Sequence, residues 1–216
     1  MIPILFQDQR YVVLNKPPGL AVHPGPRGGP SVEDCFPELS RRKDGPWLAH
    51  RLDADTAGCL VVGLRKAALI AAQQAFATGH AHKIYWAVVR GSPEGNSGTV
   101  AAKLLRQSDK SGWRMVMDPA GQPSETTWRV RGRGPGIAWV EFHPLTGRTH
   151  QIRVHAAHAG WPILGDPVYG AEPNPTVKLH LLARAIRLDL DPPLTAEAPP
   201  PDHMLAALQS CGYGPI

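Results

Sequence analysis

Apolar and polar positions along this chain fall into short blocks with two periods. Apolar runs bounded by turn residues predict strands at Ile4–Phe6 and Tyr11–Leu14, split by the polar Asp8-Gln9-Arg10, and again at Cys59–Val62. Lys83–Val89 reads as a strand with Lys83, Tyr85 and Ala87 on one face and Ile84, Trp86 and Val88 on the other. Further strands are expected at Val100–Leu105, Arg114–Met117, Thr126–Val130, Ile137–Phe142 and Ala185–Leu190. Helical spacing of Leu69, Ile70, Gln73, Phe76 and Ala77 predicts a helix over Arg65–Thr78, ended by Gly79. Ser31 can cap a short helix that Pro37 should stop. Thr149 can cap another through about Ala159, closed by Gly160 and bearing His150, Arg153, His155 and His158. Prolines 192, 193 and 199–201 predict an extended crossing segment before a terminal helix at about His203–Cys211. Strand-rich stretches punctuated by single helices point to an α+β fold with a mixed sheet. The expectation for 216 residues without an internal linker is one domain, 1–216.

The most charged loop in this pattern is His50-Arg51-Leu52-Asp53-Ala54-Asp55-Thr56-Ala57-Gly58, which enters the apolar Cys59–Val62 run. A loop feeding a core strand can hold a carboxylate rigidly while the scaffold behind it stays packed. The bland alternative is an ion-paired loop in which His50 and Arg51 neutralise Asp53 and Asp55. Lys16, beside Pro17-Pro18, reads as a surface turn lysine.

Charge and composition narrow the chemistry. The formal +5, gathered at Lys103, Arg106 and Lys110 and at Arg129-Val130-Arg131-Gly132-Arg133, permits a polyanionic partner. Three scattered cysteines form neither a disulfide framework nor a metal pair, which suggests a reducing compartment. Without a basic leader or an apolar run near 18 residues, the expected location is the cytoplasm, with no membrane partner. His80-X-His82, His155-X2-His158 and the Asp53/Asp55 pair fall short of a ligand set, so neither metal nor cofactor is expected. Gly25-Pro26-Arg27-Gly28-Gly29-Pro30 lacks the Gly-Lys-Ser/Thr of a phosphate loop, and no Gly-X-Ser-X-Gly elbow exists.

Five segments taken in order are far more specific. They are Val13–Pro24, His50–Val62, Lys83–Val89, Pro144–His155 and Pro162–Gly170. Together they make the chain resemble the RluA-type RNA pseudouridine synthases over nearly its full length. The resemblance implies the pseudouridine synthase catalytic fold, a mixed, largely antiparallel sheet with flanking helices and a central RNA-binding cleft. It implies that Asp53 is the essential aspartate, Tyr85 the active-site tyrosine and Arg153 the arginine that pairs with the aspartate. Arg51 matches an arginine that fills the place of a flipped nucleotide. His50, Thr56, Arg148, His150, Gln151, Arg131 and Arg133 complete the candidate RNA-contacting set. The implied partner is structured RNA, tRNA or rRNA, with no obligate protein partner evident. Since the motifs begin by Val13, no separate N-terminal RNA-binding module is expected, and recognition falls to the catalytic domain. Ala57 stands where the family commonly has Ser in its Thr-Ser-Gly, which removes one hydroxyl. A catalytically silent RNA-binding relative and a metal-dependent hydrolase built on Asp53 and Asp55 are the alternatives.

Overall fold

The computed structural model describes residues 1–25, 28–42, 44–109, 112–170 and 176–214. In chain order the strands are β1 (Ile4–Gln7), β2 (Tyr11–Lys16), β3 (Trp47–Leu48), β4 (Ala57–Gly63), β5 (Ala81–Arg90), β6 (Ser97–Asp109), β7 (Gly112–Met117), β8 (Gln122–Gly134), β9 (Ile137–Pro144), β10 (Leu181–Leu188) and β11 (Leu194–Glu197). The helices are α1 (Phe36–Leu39), α2 (Lys66–Ala77), α3 (Gln151–His158) and α4 (Asp202–Ser210). The architecture is α+β, largely antiparallel, with β4 and β10 paired in parallel. Two compact units form, Met1–Lys83 with Leu182–Pro201, and Ile84–Leu181 with Asp202–Ile216.

In the first unit β1, β2, β4 and β10 are consecutive neighbours, with β11 on β10 and β3 on β4. β4 is buried along its whole length, as its unbroken apolar run requires. α2 lies against it through Ala68, Ala72 and Ala75, spaced three and four apart. The expected stripe was larger, yet Ile70 is 56% exposed. Small residues win because the helix backbone at Leu69 comes within contact of Gly63, leaving no room for long side chains between. Pro37 opens α1 rather than stopping the turn before it, since a proline in the first helical turn loses no hydrogen bond.

The second unit is an antiparallel sheet in the order β5-β9-β8-β6-β7. One face carries the core of Ala87, Val89, Val140, Phe142, Ile152, Ala156, Trp161 and Ile163. On the other face Tyr213 packs edge-on to Trp86 and Trp139, centroids 5.9 and 5.6 Å away. A bulge at Arg131 breaks the β8–β9 register between Val130 and Gly132. Just after it, the α4 terminus lies on the β8 backbone so closely that a Cβ at Gly132 or Gly134 would strike Cys211 or Ser210. The structure departs from the sequence reading late in the chain. β10 begins four residues before the expected Ala185, and the proline-flanked crossing segment contains β11, paired Ala185↔Glu197 through Leu188↔Leu194.

Candidate active site

The loop bearing Asp53 is fastened to the end of β2. Gly19, at φ +86°, turns the chain so that its N–H donates to the Ala54 carbonyl at 2.9 Å. The same carbonyl accepts from Lys16 Nζ at 2.6 Å, and that ammonium also donates to Pro17 O at 2.9 Å and Leu20 O at 2.8 Å. Thr56 N–H closes the turn on Asp53 O at 3.1 Å. Asp53 itself is half-buried. Lys16 is therefore not the surface turn residue its proline neighbours suggested; it is fully buried. Three carbonyls satisfy its three N–H bonds, which is what makes a buried cation tolerable. Burial still pushes its pKa down to about 8, with Asp55 and Asp53 pulling the other way. The signal was present in the sequence. A continuous Tyr11-Val12-Val13-Leu14 run marks a strand buried on both faces, and Lys16 continues it.

Around this turn the other candidates take different places. Arg51 is exposed. His50 does not neutralise the aspartates: its Nε2 accepts the Val61 N–H at 3.0 Å and its ring lies 4.7 Å from Phe76. Burial and the nearby Lys83 cation hold its pKa down to about 3, so the ring is neutral. Thr56 is buried beneath the turn. Gly58, at φ +108°, enters β4 where a Cβ would collide with the Ala183 carbonyl, so no other residue fits the start of the parallel pair.

In the second unit Tyr85 stands on β5 opposite Phe142 and packs against the core. Arg153 and its neighbours sit on α3, six of whose eight residues are buried. A helix buried nearly all round must satisfy every polar side chain internally. Arg153 does so with a bidentate pair to Asp166, Nε to Oδ2 at 2.8 Å and Nη2 to Oδ1 at 2.7 Å. Gln151 accepts from Thr146 Oγ1 and Arg148 N–H and donates to Glu125 O and Thr126 Oγ1, using its whole amide. His155 lies between Ser124 Oγ (2.9 Å from Nε2) and Thr126 Oγ1 (3.0 Å from Nδ1). Ser124 Oγ donates to Ala102 O and Thr126 Oγ1 accepts from Gln151, so one proton arrangement fits: Nε2 donates and Nδ1 accepts. Burial, then the charge of His158, holds the His155 pKa down to about 4.

The start of α3 also differs from expectation. His150, not Thr149, stands at the helix cap, in the left-handed region at φ +54°. Its Nδ1 is 2.8 Å from Tyr169 Oη, which accepts the Met115 N–H at 2.9 Å. The ring of Trp113 stacks on His150 at 5.0 Å and carries Arg106 on its other side at 4.5 Å. The β6–β7 hairpin is thereby fixed to the beginning of α3.

The basic patch is divided. Glu141, 5% exposed, accepts from Arg129 (2.8 Å), His143 (3.1 Å) and Trp86 (3.1 Å), with Arg131 at 3.7 Å. Burial alone would raise its pKa; these donors lower it. Arg129 and Arg131 remain open to solvent beside it. Arg133 instead turns inward to the Ser92–Asn96 loop, bonding Ser92 Oγ at 2.8 Å, Asn96 Oδ1 at 2.9 Å and the Gly95 and Pro93 carbonyls. Arg148 is exposed and donates to Pro123 O at 3.1 Å. Lys110 lies outside the described residues. Among the described residues no three His, Cys, Asp or Glu side chains converge as metal ligands, and no helix is long and apolar enough to cross a membrane.

Residues 10–158 match the family described as RNA pseudouridylate synthase. The chain belongs to the RluA-type RNA pseudouridine synthases. An uncharacterized RNA pseudouridine synthase of Zymomonas mobilis is 40% identical over 204 residues, covering 92% of this chain and 93% of the relative. The ribosomal large subunit pseudouridine synthase C of Haemophilus ducreyi is 36% identical over 95% of this chain, which spans 67% of that relative. Among solved structures, human RNA pseudouridylate synthase domain containing 4 superposes with a TM-score of 0.81 at 28% identity, covering 96% of this chain and 92% of the other. Membership places the chain among isomerases that act on RNA.

Proposed function

We propose that the protein converts a uridine in structured RNA to pseudouridine, with ribosomal RNA the first substrate to examine, as the name of the Haemophilus ducreyi relative suggests. The reaction breaks the N1–C1′ bond, rotates the base, joins C5 to C1′, releases the C5 proton to water and leaves N1 carrying a proton in its place, so that uridine and pseudouridine are isomers. A base inside a folded RNA must leave its stack to be reached, and Arg51, exposed beside the Asp53 turn, can occupy the vacated place. The Asp53 carboxylate attacks a carbon or removes a ribose proton, and the guanidinium of Arg153 is the partner that orients it. Tyr85 stacks on the base and assists removal of the C5 proton. His50, Thr56 and Gln151 act from beneath, as supports of the loop and helix, because each already has a buried occupation.

The observation that carries this reading is the Asp53 turn, pinned by Lys16 and Gly19 through one carbonyl. Such pinning fits a carboxylate whose position matters. The test is tritium release from C5-labelled rRNA and tRNA transcripts, with pseudouridine mapping in a deletion strain. Asp53→Asn should release no tritium while binding RNA with near-native affinity. Substantial activity in that variant, after exclusion of deamidation, would refute the assignment; a wild-type protein that binds RNA but releases nothing would make it a silent relative.

A further inference from the structure

We infer that Asp166, which lies in a turn after α3, is a positioning residue for Arg153. The inference rests on the role proposed for Arg153 above. Asp166 has no exposed side-chain surface, and Arg153 has 4%. The Asp166 carboxylate receives four donors. Oδ1 accepts Arg153 Nη2–H at 2.7 Å, Val168 N–H at 2.9 Å and Tyr169 N–H at 3.0 Å, while Oδ2 accepts Arg153 Nε–H at 2.8 Å. Burial alone would push its pKa up, but these bonds and the guanidinium charge hold it below the usual range. It is an anion at neutral pH.

Geometry gives this pair a direction. The Nε–Nη2 edge of a guanidinium is planar and rigid, so two parallel bonds to one carboxylate fix both its position and the plane it lies in. Nη1 is then turned away from Asp166. The two backbone bonds tie the same carboxylate to the 166–169 turn, so the arginine is referenced to backbone and not to another flexible side chain. Tyr169, in that turn, lies with its ring 5.2 Å from the guanidinium carbon, and its hydroxyl joins His150 at the start of α3 to Met115 on β7. One carboxylate therefore sets where Arg153 points, and one tyrosine ties that setting to the hairpin.

Asp166→Asn is the sharp probe. The amide oxygen can keep the Oδ1 bonds, while an NH2 opposite Arg153 Nε–H replaces an acceptor with a donor. The full chain should then fold and bind RNA with unchanged KM, and kcat should fall, by up to about a hundredfold for a misplaced group. In Arg153→Lys, which lacks the fork, adding Asp166→Asn should lower kcat little further. The Arg153 Nε–H resonance of the free protein should lose its slow exchange in Asp166→Asn. If the asparagine variant does not fold, Asp166→Ser, which keeps an oxygen for the turn amides, takes its place in the same cycle; if neither folds, Asp166 is a folding residue and the inference falls. It also falls if Asp166→Asn keeps native kcat, or loses the same factor with and without Arg153. If Arg153→Lys alone keeps native kcat, the proposed role of Arg153 has failed instead, and the inference goes with it.

Discussion

Lys16→Met separates the stability of the fold from the placement of Asp53. The substitution keeps the apolar stem and removes the ammonium. The Ala54 carbonyl retains Gly19 N–H, but the Pro17 and Leu20 carbonyls lose the donor they had. Pro17 is exposed and Leu20 half-buried, so water can reach both carbonyls, and the loss lies at or below the low end of about 1–3 kcal/mol each. Against it stands the relief of no longer burying a charge. The fall of the lysine pKa from 10.5 to about 8 corresponds to roughly 3 kcal/mol. The two nearly offset, so urea unfolding should show a loss no greater than about 3 kcal/mol, while turnover should drop at least about tenfold because the Asp53 turn loses one of its two anchors. The pH dependence carries a distinctive sign. The folded value lies below the unfolded one, so the folded protein releases this proton first, and its stability contribution rises between about pH 8 and 10.5. A neutral amine has only two N–H bonds for three carbonyls, so turnover should fall over the same range. Tritium release and unfolding, measured from pH 7 to 10 on both proteins, decide the matter. If Lys16→Met keeps native kcat, or shows the same alkaline decline as wild type, the buried lysine does not hold the catalytic turn.

Tyr85→Phe should bind RNA normally and lose most tritium release, whereas near-native release would leave Tyr85 as a stacking platform only. Arg129→Ala and Arg131→Ala should each reduce the slope of log affinity against log salt by about 0.7–0.9 in filter binding. Arg133→Ala should leave that slope unchanged and lower the melting temperature, because its guanidinium is occupied by the Ser92–Asn96 loop; a changed slope would put Arg133 on the RNA. His50 and His155 have folded pKa values of about 3 and about 4, below the ordinary 6.5. Their contribution is complete above pH 6.5 and lost as pH falls toward the folded values, so His155→Asn should flatten the acid decline in stability over pH 4–6.5.

Much of this was legible from residue order. Unbroken apolar runs located β2 and β4, because burial on both faces leaves no polar position to interrupt them. The motif segments nominated Asp53, Tyr85 and Arg153, whose roles the assays above test. What failed depended on who the neighbours would be. Lys16 looked exposed because lysine usually is, and one of the three carbonyls that accept its N–H bonds, that of Ala54, comes from 38 residues away. Asp166, inside the Pro162–Gly170 segment, drew no role of its own, since nothing local reveals an arginine thirteen positions earlier. β11 was hidden by its flanking prolines, which its short edge position tolerates. The alternation Arg131-Gly132-Arg133-Gly134 suggested a basic surface, and the structure gives those glycines to close contact with the end of α4 and one of the arginines to a loop.

The two units interleave along the chain, and this bears on how the protein is made. Neither is a continuous segment. The first needs β10, from about residue 182, to give β4 its neighbour, and the second needs residues beyond 202 to cover Trp86 and Trp139. During synthesis the first 83 residues therefore leave the ribosome with β2 and β3 available to β4 but with its start, Ala57 and Gly58, still lacking β10, and they wait for about a hundred more before that strand exists. An unpaired strand segment of this kind is a template for pairing with other chains. A protein with this layout completes both halves almost together, once residues beyond about 202 have emerged, so slowing elongation would prolong exposure rather than help the first half fold ahead of the second.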